Sequence, residues 1–262
     1  MKRTEITIDP SGYPEVLKPF FAGARIYDSS CSKEARVIYL EKDEGYYLKT
    51  APKGTLRREA EMTGYFHGKG LAPEVLFYAE EETRDVLLTA RAAGEDCTDR
   101  RYLDDPKRLS ALLGERLRML HELPHGDCPV QDRMTAYLAT AERNYRAGAY
   151  DLSYRMPSCR GLSAQESFRY LTEHAALLKN EVLLHGDYCL PNILLSDWHF
   201  SAFIDLGAGG VGDRHVDLYW GAWTLSFNLG TDRYRDRFYD AYGRDRIDEQ
   251  MIALVSVAEA FG

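Results

Sequence analysis

His185-Gly186-Asp187-Tyr188-Cys189-Leu190-Pro191-Asn192, followed by Ile204-Asp205-Leu206-Gly207, decides how the rest of the chain is read. Asp187 stands five residues before Asn192, and Asp205 stands thirteen residues after it. The apolar runs Val182-Leu183-Leu184 and Ile193-Leu194-Leu195 flank the first segment. Its polar groups therefore belong to tight turns set against buried strands, a base on which reactive side chains are commonly presented. Asn192 to Asp205 reads as a short hairpin turning at Ser196-Asp197-Trp198. Taken alone, Asp-x-x-x-x-Asn is a weak signal. The plain alternative makes Asp187 and Asn192 turn caps and Asp205 a strand end.

Upstream, the first third reads as strands with one helix among them. Ala24-Arg25-Ile26-Tyr27, Arg36-Val37-Ile38-Tyr39-Leu40, Gly45-Tyr46-Tyr47-Leu48-Lys49 and Asp85-Val86-Leu87-Leu88-Thr89-Ala90 are short and rich in β-branched or aromatic residues. Asp43-Glu44-Gly45 is a hairpin signal. Leu56 to Gly68 is predicted helical, with Ala60, Tyr65 and Phe66 inward and Gly68 and Gly70 as stops. Ala92-Ala93-Gly94 is a small-residue link, and helices dominate after it. Asp105-Pro106 opens one, with Leu109, Leu112, Leu113, Leu117 and Leu120 as its core face. Ser163 with Glu166 forms a capping box, and three helical stretches follow Asp205, the last from Ile252 to Phe261. The expected fold class is α+β: a small β-rich N-terminal lobe over residues 1–90 and a larger, mainly α-helical C-terminal lobe over 91–262.

Composition narrows the partners. The chain has 262 residues, 45% hydrophobic and 28% charged, with a formal net charge of -8. That balance is ordinary for a soluble globular protein and argues against nucleic acid as a partner. No apolar stretch approaches the ~20 residues that a membrane span needs, so no membrane role is expected. Cys31, Cys97, Cys128, Cys159 and Cys189 are scattered and form no C-x-x-C pair. Free thiols in a reducing cytoplasm follow from that usage.

The opening residues carry the chemistry. Kinase-type phosphoryl transfer asks for an Asp beside the attacking hydroxyl and for an Asn and a second Asp on the magnesium ions. Asp187, Asn192 and Asp205 supply that set in that order. A metal-dependent hydrolase would want histidines at metal-ligand spacing, and the seven histidines form no such cluster.

In combination these motifs resemble the aminoglycoside phosphotransferase family, a branch of the protein-kinase-like fold, and most of all its 3′-phosphotransferases. His185 to Ile193 meets the family's His-Gly-Asp, four residues, Asn-Ile, and Ile204 to Arg214 meets its Ile-Asp-Leu-Gly continuing to an Arg. Leu120-His121-Glu122-Leu123 and Asp127-Cys128-Pro129 match its central region, and Lys49-Thr50-Ala51-Pro52 its nucleotide lysine. The resemblance covers nearly the whole chain. It implies a two-lobed protein-kinase-like fold, ATP (or GTP) and Mg2+ as cofactors, a small-molecule substrate, and a monomer or weak dimer.

The resemblance also implies residue roles. Asp187 accepts or orients the proton of the attacking hydroxyl, while Asn192 and Asp205 hold the metal. Lys49, paired with Glu59, neutralises nucleotide phosphates; read without Asp187 it is equally a surface lysine. Ser30 and Ser32, in Ser29-Ser30-Cys31-Ser32, offer amides and hydroxyls to phosphate, with a plain turn as the competing reading. Tyr47 stacks on adenine or else is core, and the backbone at Ala92 meets the adenine edge. Glu259 and Phe261 contribute to the sugar site. His185 braces the Asp187 loop or else is a plain core histidine, and Asp217 hydrogen-bonds that loop from behind, with a simple helix residue as the competing reading.

The acceptor side departs from the family pattern. Ala208 stands where an Arg is usual, and Trp220, Trp223, Phe227 and Asn228 occupy a stretch that is Arg-rich and then acidic in the family. Tyr154 to Arg160 is basic where acids are expected. Trp220 and Trp223 admit a cation–π reading, with core packing preferred. The expected function is ATP-dependent phosphorylation of an aminoglycoside at its 3′-hydroxyl, conferring resistance. The alternatives are a kinase for a choline-like alcohol, an amino alcohol or another antibiotic, and a non-catalytic nucleotide-binding module. The complete set of Lys49, Glu59, Asp187, Asn192 and Asp205 speaks against the last.

Overall fold

The computed structural model describes residues 3–31 and 33–262. In chain order its strands are β1 (Thr4–Glu5), β2 (Arg25–Asp28), β3 (Arg36–Glu41), β4 (Tyr46–Pro52), β5 (Val75–Glu80), β6 (Arg84–Ala90), β7 (Glu95–Asp96), β8 (Val182–Leu184), β9 (Ile193–Ser196), β10 (His199–Phe203) and β11 (Gly210–Gly212). Its helices are α1 (Lys18–Phe21), α2 (Arg57–Gly68), α3 (Arg100–Leu103), α4 (Pro106–His121), α5 (Arg133–Ala147), α6 (Ala164–His174), α7 (His215–Leu229), α8 (Arg235–Tyr242) and α9 (Glu249–Glu259). The chain divides into two compact units: Met1–Asp96 with Asn192–Ala208, and Cys97–Pro191 with Gly209–Gly262.

The first unit is built on an antiparallel sheet in the order β1-β2-β3-β4-β6-β5. Alternation assigns its faces. Ile38, Leu40, Leu48, Val86 and Leu88 pack with Leu17 and Phe21 on one side. Ala51 and Leu87 pack with Leu56 and Ala60, at the start of α2, on the other. Tyr47 and Lys49 share the Ala51 side of β4, so the helix and the lysine lie on the same face. Buried Asp85 on β6 fixes the turn that enters α2 by accepting the amides of Gly54 (2.9 Å) and Leu56 (2.8 Å).

A second sheet, β10-β9-β7, explains why this unit is discontinuous. Glu95 and Asp96 pair with Leu195 and Leu194, which adds the later hairpin to the first segment. A single division at residue 90 leaves out both the β7 extension and the hairpin. Gly94 makes the pairing possible: at φ +88° it lies so close to the hairpin that a Cβ would come within 2.1 Å of the Leu195 carbonyl oxygen.

Helices dominate the second unit, joined by the β11-β8 pair. Asp105 caps α4 by accepting the Arg108 amide at 3.1 Å, and Leu109, Leu113, Leu117 and Leu120 are buried, while Leu112 is half-buried. Ser163 and Glu166 form the reciprocal capping box of α6. The basic segment holds a surprise, since Arg155 is buried and donates to Ser167 Oγ (2.7 Å) and the Leu152 carbonyl (3.1 Å). It is a structural tie rather than a surface charge. Among the described residues, no helix is long and apolar enough to cross a membrane.

Candidate active site

In the first unit, Lys49 is the hub. Its Nζ lies 2.7 Å from Glu59 Oε2 on α2 and 2.9 Å from Asp205 Oδ1 after β10. Burial pulls the ammonium's pKa down, but Asp205 and Glu59 more than offset this and the pKa is raised, so Lys49 stays charged. Burial also pushes the Glu59 carboxyl up, with Lys49 opposing. The Lys49 and Glu59 side chains are largely covered, at 18% and 11% exposed, whereas Asp205 is 50% exposed and open to a ligand.

The hairpin brings Asn192 and Asp205 together. Phe203 pairs with Ile193, and the Ile204 amide donates to the Asn192 carbonyl at 3.0 Å. Both side chains thus belong to the open end of one two-stranded ladder. Asp205 adopts φ +59°, a left-handed conformation that is uncommon for a residue with a side chain and that Asp tolerates better than most. The amide oxygen of Asn192 and the carboxylate of Asp205 are hard donors of the kind magnesium takes alongside phosphate oxygens. The residues present fit that ion.

The other nucleotide-side expectations meet a mixed outcome. Tyr47 is half-buried beside Tyr39 (ring centroids 5.1 Å apart), and its hydroxyl accepts from Arg3 at 2.7 Å. The Arg3 guanidinium lies 3.8 Å from the centre of the Tyr39 ring, so the N-terminal arm borders this aromatic pair. Ser30 spends its groups inside its own loop. Its amide donates to Asp28 Oδ1 (2.9 Å), and its hydroxyl accepts the Val37 amide (3.0 Å). The plain-turn reading describes it as folded. Ser32 lies outside the described residues. Ala92 is half-exposed just after β6, next to Arg91, whose amide donates to the Gly45 carbonyl at 3.0 Å.

In the second unit, Asp187 sits in a loop pinned from several sides. The Asp217 carboxylate on α7 is buried and accepts the His185 and Gly186 amides, both at 2.8 Å. Gly186 has φ +86°, which lets the chain turn so that the two amides converge on one side chain. One oxygen of Asp217 also meets His121 Nε2 at 3.2 Å, while His121 Nδ1 meets the Tyr242 hydroxyl at 2.9 Å. Burial lowers the His121 pKa. The ring is therefore neutral, donating to Asp217 and accepting from Tyr242. His185 is buried and its Nδ1 accepts the Asp187 amide at 3.3 Å, the bracing expected of it.

Three further ties were not legible in the sequence. The Tyr188 hydroxyl donates to the Leu113 carbonyl (2.9 Å), and the Leu190 amide to Thr224 Oγ1 (3.2 Å). Thr224 lies seven residues after Asp217, two turns along α7 on the same face. That spacing was the available signal. The Cys189 thiol, pushed up by burial and by the neighbouring Asp187 charge, stays protonated and donates to Asp187.

The two C-terminal residues assigned to the acceptor are both buried. Phe261 is fully covered by the rings of Tyr145, Tyr150 and Phe168 (centroids 5.4–5.7 Å away). A surface hollow of about 620 Å³ lined by Tyr145, Glu166, Phe168 and Arg169 lies on the outer side of those rings, and Phe261 does not line it. Glu259 accepts from the Tyr137 hydroxyl (2.8 Å) and from Trp220. Burial pushes its carboxyl up to about 7, and the Asp187 charge adds to this.

That shift has a sign. A carboxyl with a folded pKa of about 7 against an ordinary 4.5 takes up protons on folding. Its contribution to stability is greatest below pH 4.5 and falls as pH climbs to about 7. The loss over that window is on the order of 3 kcal/mol. Melting temperatures of the wild type and Glu259→Gln from pH 5 to 8 should diverge accordingly, with the wild type losing ground to the variant as pH rises. Parallel profiles would refute the assignment.

A family model described as a phosphotransferase enzyme family matches residues 32–253. The chain belongs to that family. A Lactococcus lactis relative named "Probable aminoglycoside 3'-phosphotransferase" is 48% identical over 258 residues, covering 98% of both chains. An aminoglycoside 3'-phosphotransferase of Niallia circulans is 30% identical over 253 residues, covering 95% of this chain and 90% of that one. The fold of this phosphotransferase superposes on a Streptomyces rimosus aminoglycoside phosphotransferase solved with ADP and streptomycin. The TM-score is 0.76 at 21% identity, covering 97% of this chain and 99% of that one.

Proposed function

We propose that this phosphotransferase moves the γ-phosphate of ATP to the 3′-hydroxyl of an aminoglycoside, conferring resistance to it. The near-full-length similarity to a 3'-phosphotransferase supports the substrate class. The observation that carries the chemistry is Lys49 held charged between Glu59 and Asp205. A fixed ammonium at that place neutralises phosphate oxygens, and Glu59 keeps it aimed when Asp205 turns to a metal. Asn192 and Asp205 would hold magnesium, which supplies charge neutralisation on the phosphates when bound. Asp187 orients the acceptor hydroxyl and takes its proton, with the carboxylate set in place by the loop ties to Asp217, Leu113 and Thr224.

The test is ADP release with magnesium-ATP across kanamycin-, neomycin- and gentamicin-type sugars, with choline and simple amino alcohols beside them. Stimulation by sugars bearing a 3′-hydroxyl, and loss of stimulation by those lacking it, is the expected result. Stimulation by choline or amino alcohols alone would reassign the acceptor. Nucleotide binding with no acceptor-dependent release would reject the reaction.

A further inference from the structure

The face of the first sheet that carries Lys49 also carries a row of rings. Tyr27, Tyr39 and Tyr47 stand opposite one another on β2, β3 and β4 and so share a face, and Lys49, on the same strand as Tyr47, shares it too. Neighbouring rings lie 6.1 and 5.1 Å apart between centroids. Each residue of a strand advances about 3.3 Å, which puts Tyr47 about 7 Å along from Lys49. That step suits a ribose, so a nucleotide with its phosphates on Lys49 brings its base to Tyr47. The direction fits as well, because it leads to Gly45, whose carbonyl accepts the Arg91 amide beside Ala92.

The group that stands at Tyr47 is Arg3. Thr4 and Glu5 pair with Asp28 and Tyr27, and the Ile6 amide donates to the Ile26 carbonyl at 2.9 Å, so the backbone beside Arg3 is fixed to β2. From there its side chain reaches the next two strands. The guanidinium lies 3.8 Å from the centre of the Tyr39 ring, and its Nη2 donates to the Tyr47 hydroxyl at 2.7 Å. The same guanidinium is 5.9 Å from the centre of the Tyr47 ring. It is close to the hydroxyl and distant from the ring centre, so it lies beyond the tip of Tyr47 and off its face. That placement decides its role. A cation on the face would compete with a stacking base, whereas one at the tip leaves the face to the base and fixes the direction of the ring. A ring already held loses less freedom when a base stacks on it. The carboxylate acting on Arg3 is Glu41, itself held by Arg25 Nε at 2.6 Å.

We infer that Arg3 is a positioning residue of the nucleotide site: anchored on the Tyr39 ring, it holds the Tyr47 ring by its hydroxyl for stacking by a purine base. The inference rests on the phosphotransferase reading and adds to it a residue from the start of the chain. Arg3 acts on the base, and the phosphates are left to Lys49.

The test is a double-mutant cycle read by nucleotide affinity. In steady-state kinetics at saturating kanamycin, Arg3→Ala should raise the ATP KM about fivefold, with kcat and the kanamycin KM within about twofold of the wild type. Tyr47→Phe keeps the ring and removes the anchor, so it should raise the ATP KM to a similar extent. The double variant should be no worse than either single one, because both remove the same contact. Arg3 is exposed, so its truncation leaves the core intact. Magnesium tripolyphosphate, which has no base, should inhibit all four proteins equally. An unchanged or lowered ATP KM in Arg3→Ala, independent effects that multiply in the double variant, or an equal loss of tripolyphosphate affinity each overturns the inference. Absence of kanamycin-dependent ADP release by the wild type overturns the phosphotransferase reading instead. Calorimetric ATP binding by the same four proteins needs no acceptor and keeps the two failures apart.

Discussion

Asp187→Ala is expected to lower acceptor-dependent phosphoryl transfer by about 10²–10⁴-fold, the range over which a positioned proton acceptor acts. Nucleotide affinity should hardly change, because Lys49, Glu59, Asn192 and Asp205 remain. Folding should survive as well. The Asp187 amide that reaches His185 and the carbonyl that receives the Cys189 amide are backbone groups, which alanine keeps. Single-turnover rates at saturating magnesium-ATP, beside nucleotide binding by calorimetry, separate the effects. A variant that binds ATP normally and turns over at the wild-type rate sinks the assignment of Asp187.

Asp217→Ala should be the most damaging change to stability. One buried carboxylate receives two loop amides at 2.8 Å and the His121 ring at 3.2 Å. Each buried amide left without an acceptor costs about 1–3 kcal/mol, and breaking a buried network commonly costs about 3–5 kcal/mol in all. For a chain of this size that corresponds to a fall in melting temperature of roughly 10 °C. Asp217→Asn keeps one carbonyl oxygen and should fall between the wild type and the alanine variant. The rate should drop with stability, because the same amides set the position of Asp187. A thermal melt of Asp217→Ala within about 2 °C of the wild type would mean the loop is held by something else.

The parts of this molecule that were legible in sequence are those whose roles are written in local pattern. Lys49 and Glu59 meet because β4 alternation and the opening of α2 both point to one face. Asn192 and Asp205 meet because a hairpin of that length must bring its ends together. Asp217 was readable only through the family resemblance, because nothing local ties a carboxylate on α7 to the amides of His185 and Gly186. What resisted was burial decided by distant segments. Arg155 looks like a surface cation until Ser167 and a carbonyl of its own segment enclose it. Phe261 looks like a site aromatic until Tyr145, Tyr150 and Phe168 cover it. Val75–Glu80 lacks clean alternation, so its place at the edge of the sheet is not legible from pattern alone. Helical spacing on α7 cannot by itself tell a buried face from a binding face, which is why Trp220 and Trp223 admit both readings in sequence.

The discontinuity of the first unit bears on how the protein is made. Lys49 and Asp205 are 156 residues apart, and β7 waits for β9. On a ribosome, the sheet of residues 4–90 emerges early, with its lysine in place and its metal-side carboxylate still unsynthesised. Loop closure over such a distance is slow and entropically costly. The nucleotide-holding geometry is therefore among the last things the nascent chain acquires. A pulse of translation arrested before residue 205 should yield a folded sheet with no competence for magnesium-ATP, and competence should appear only once the hairpin has been translated.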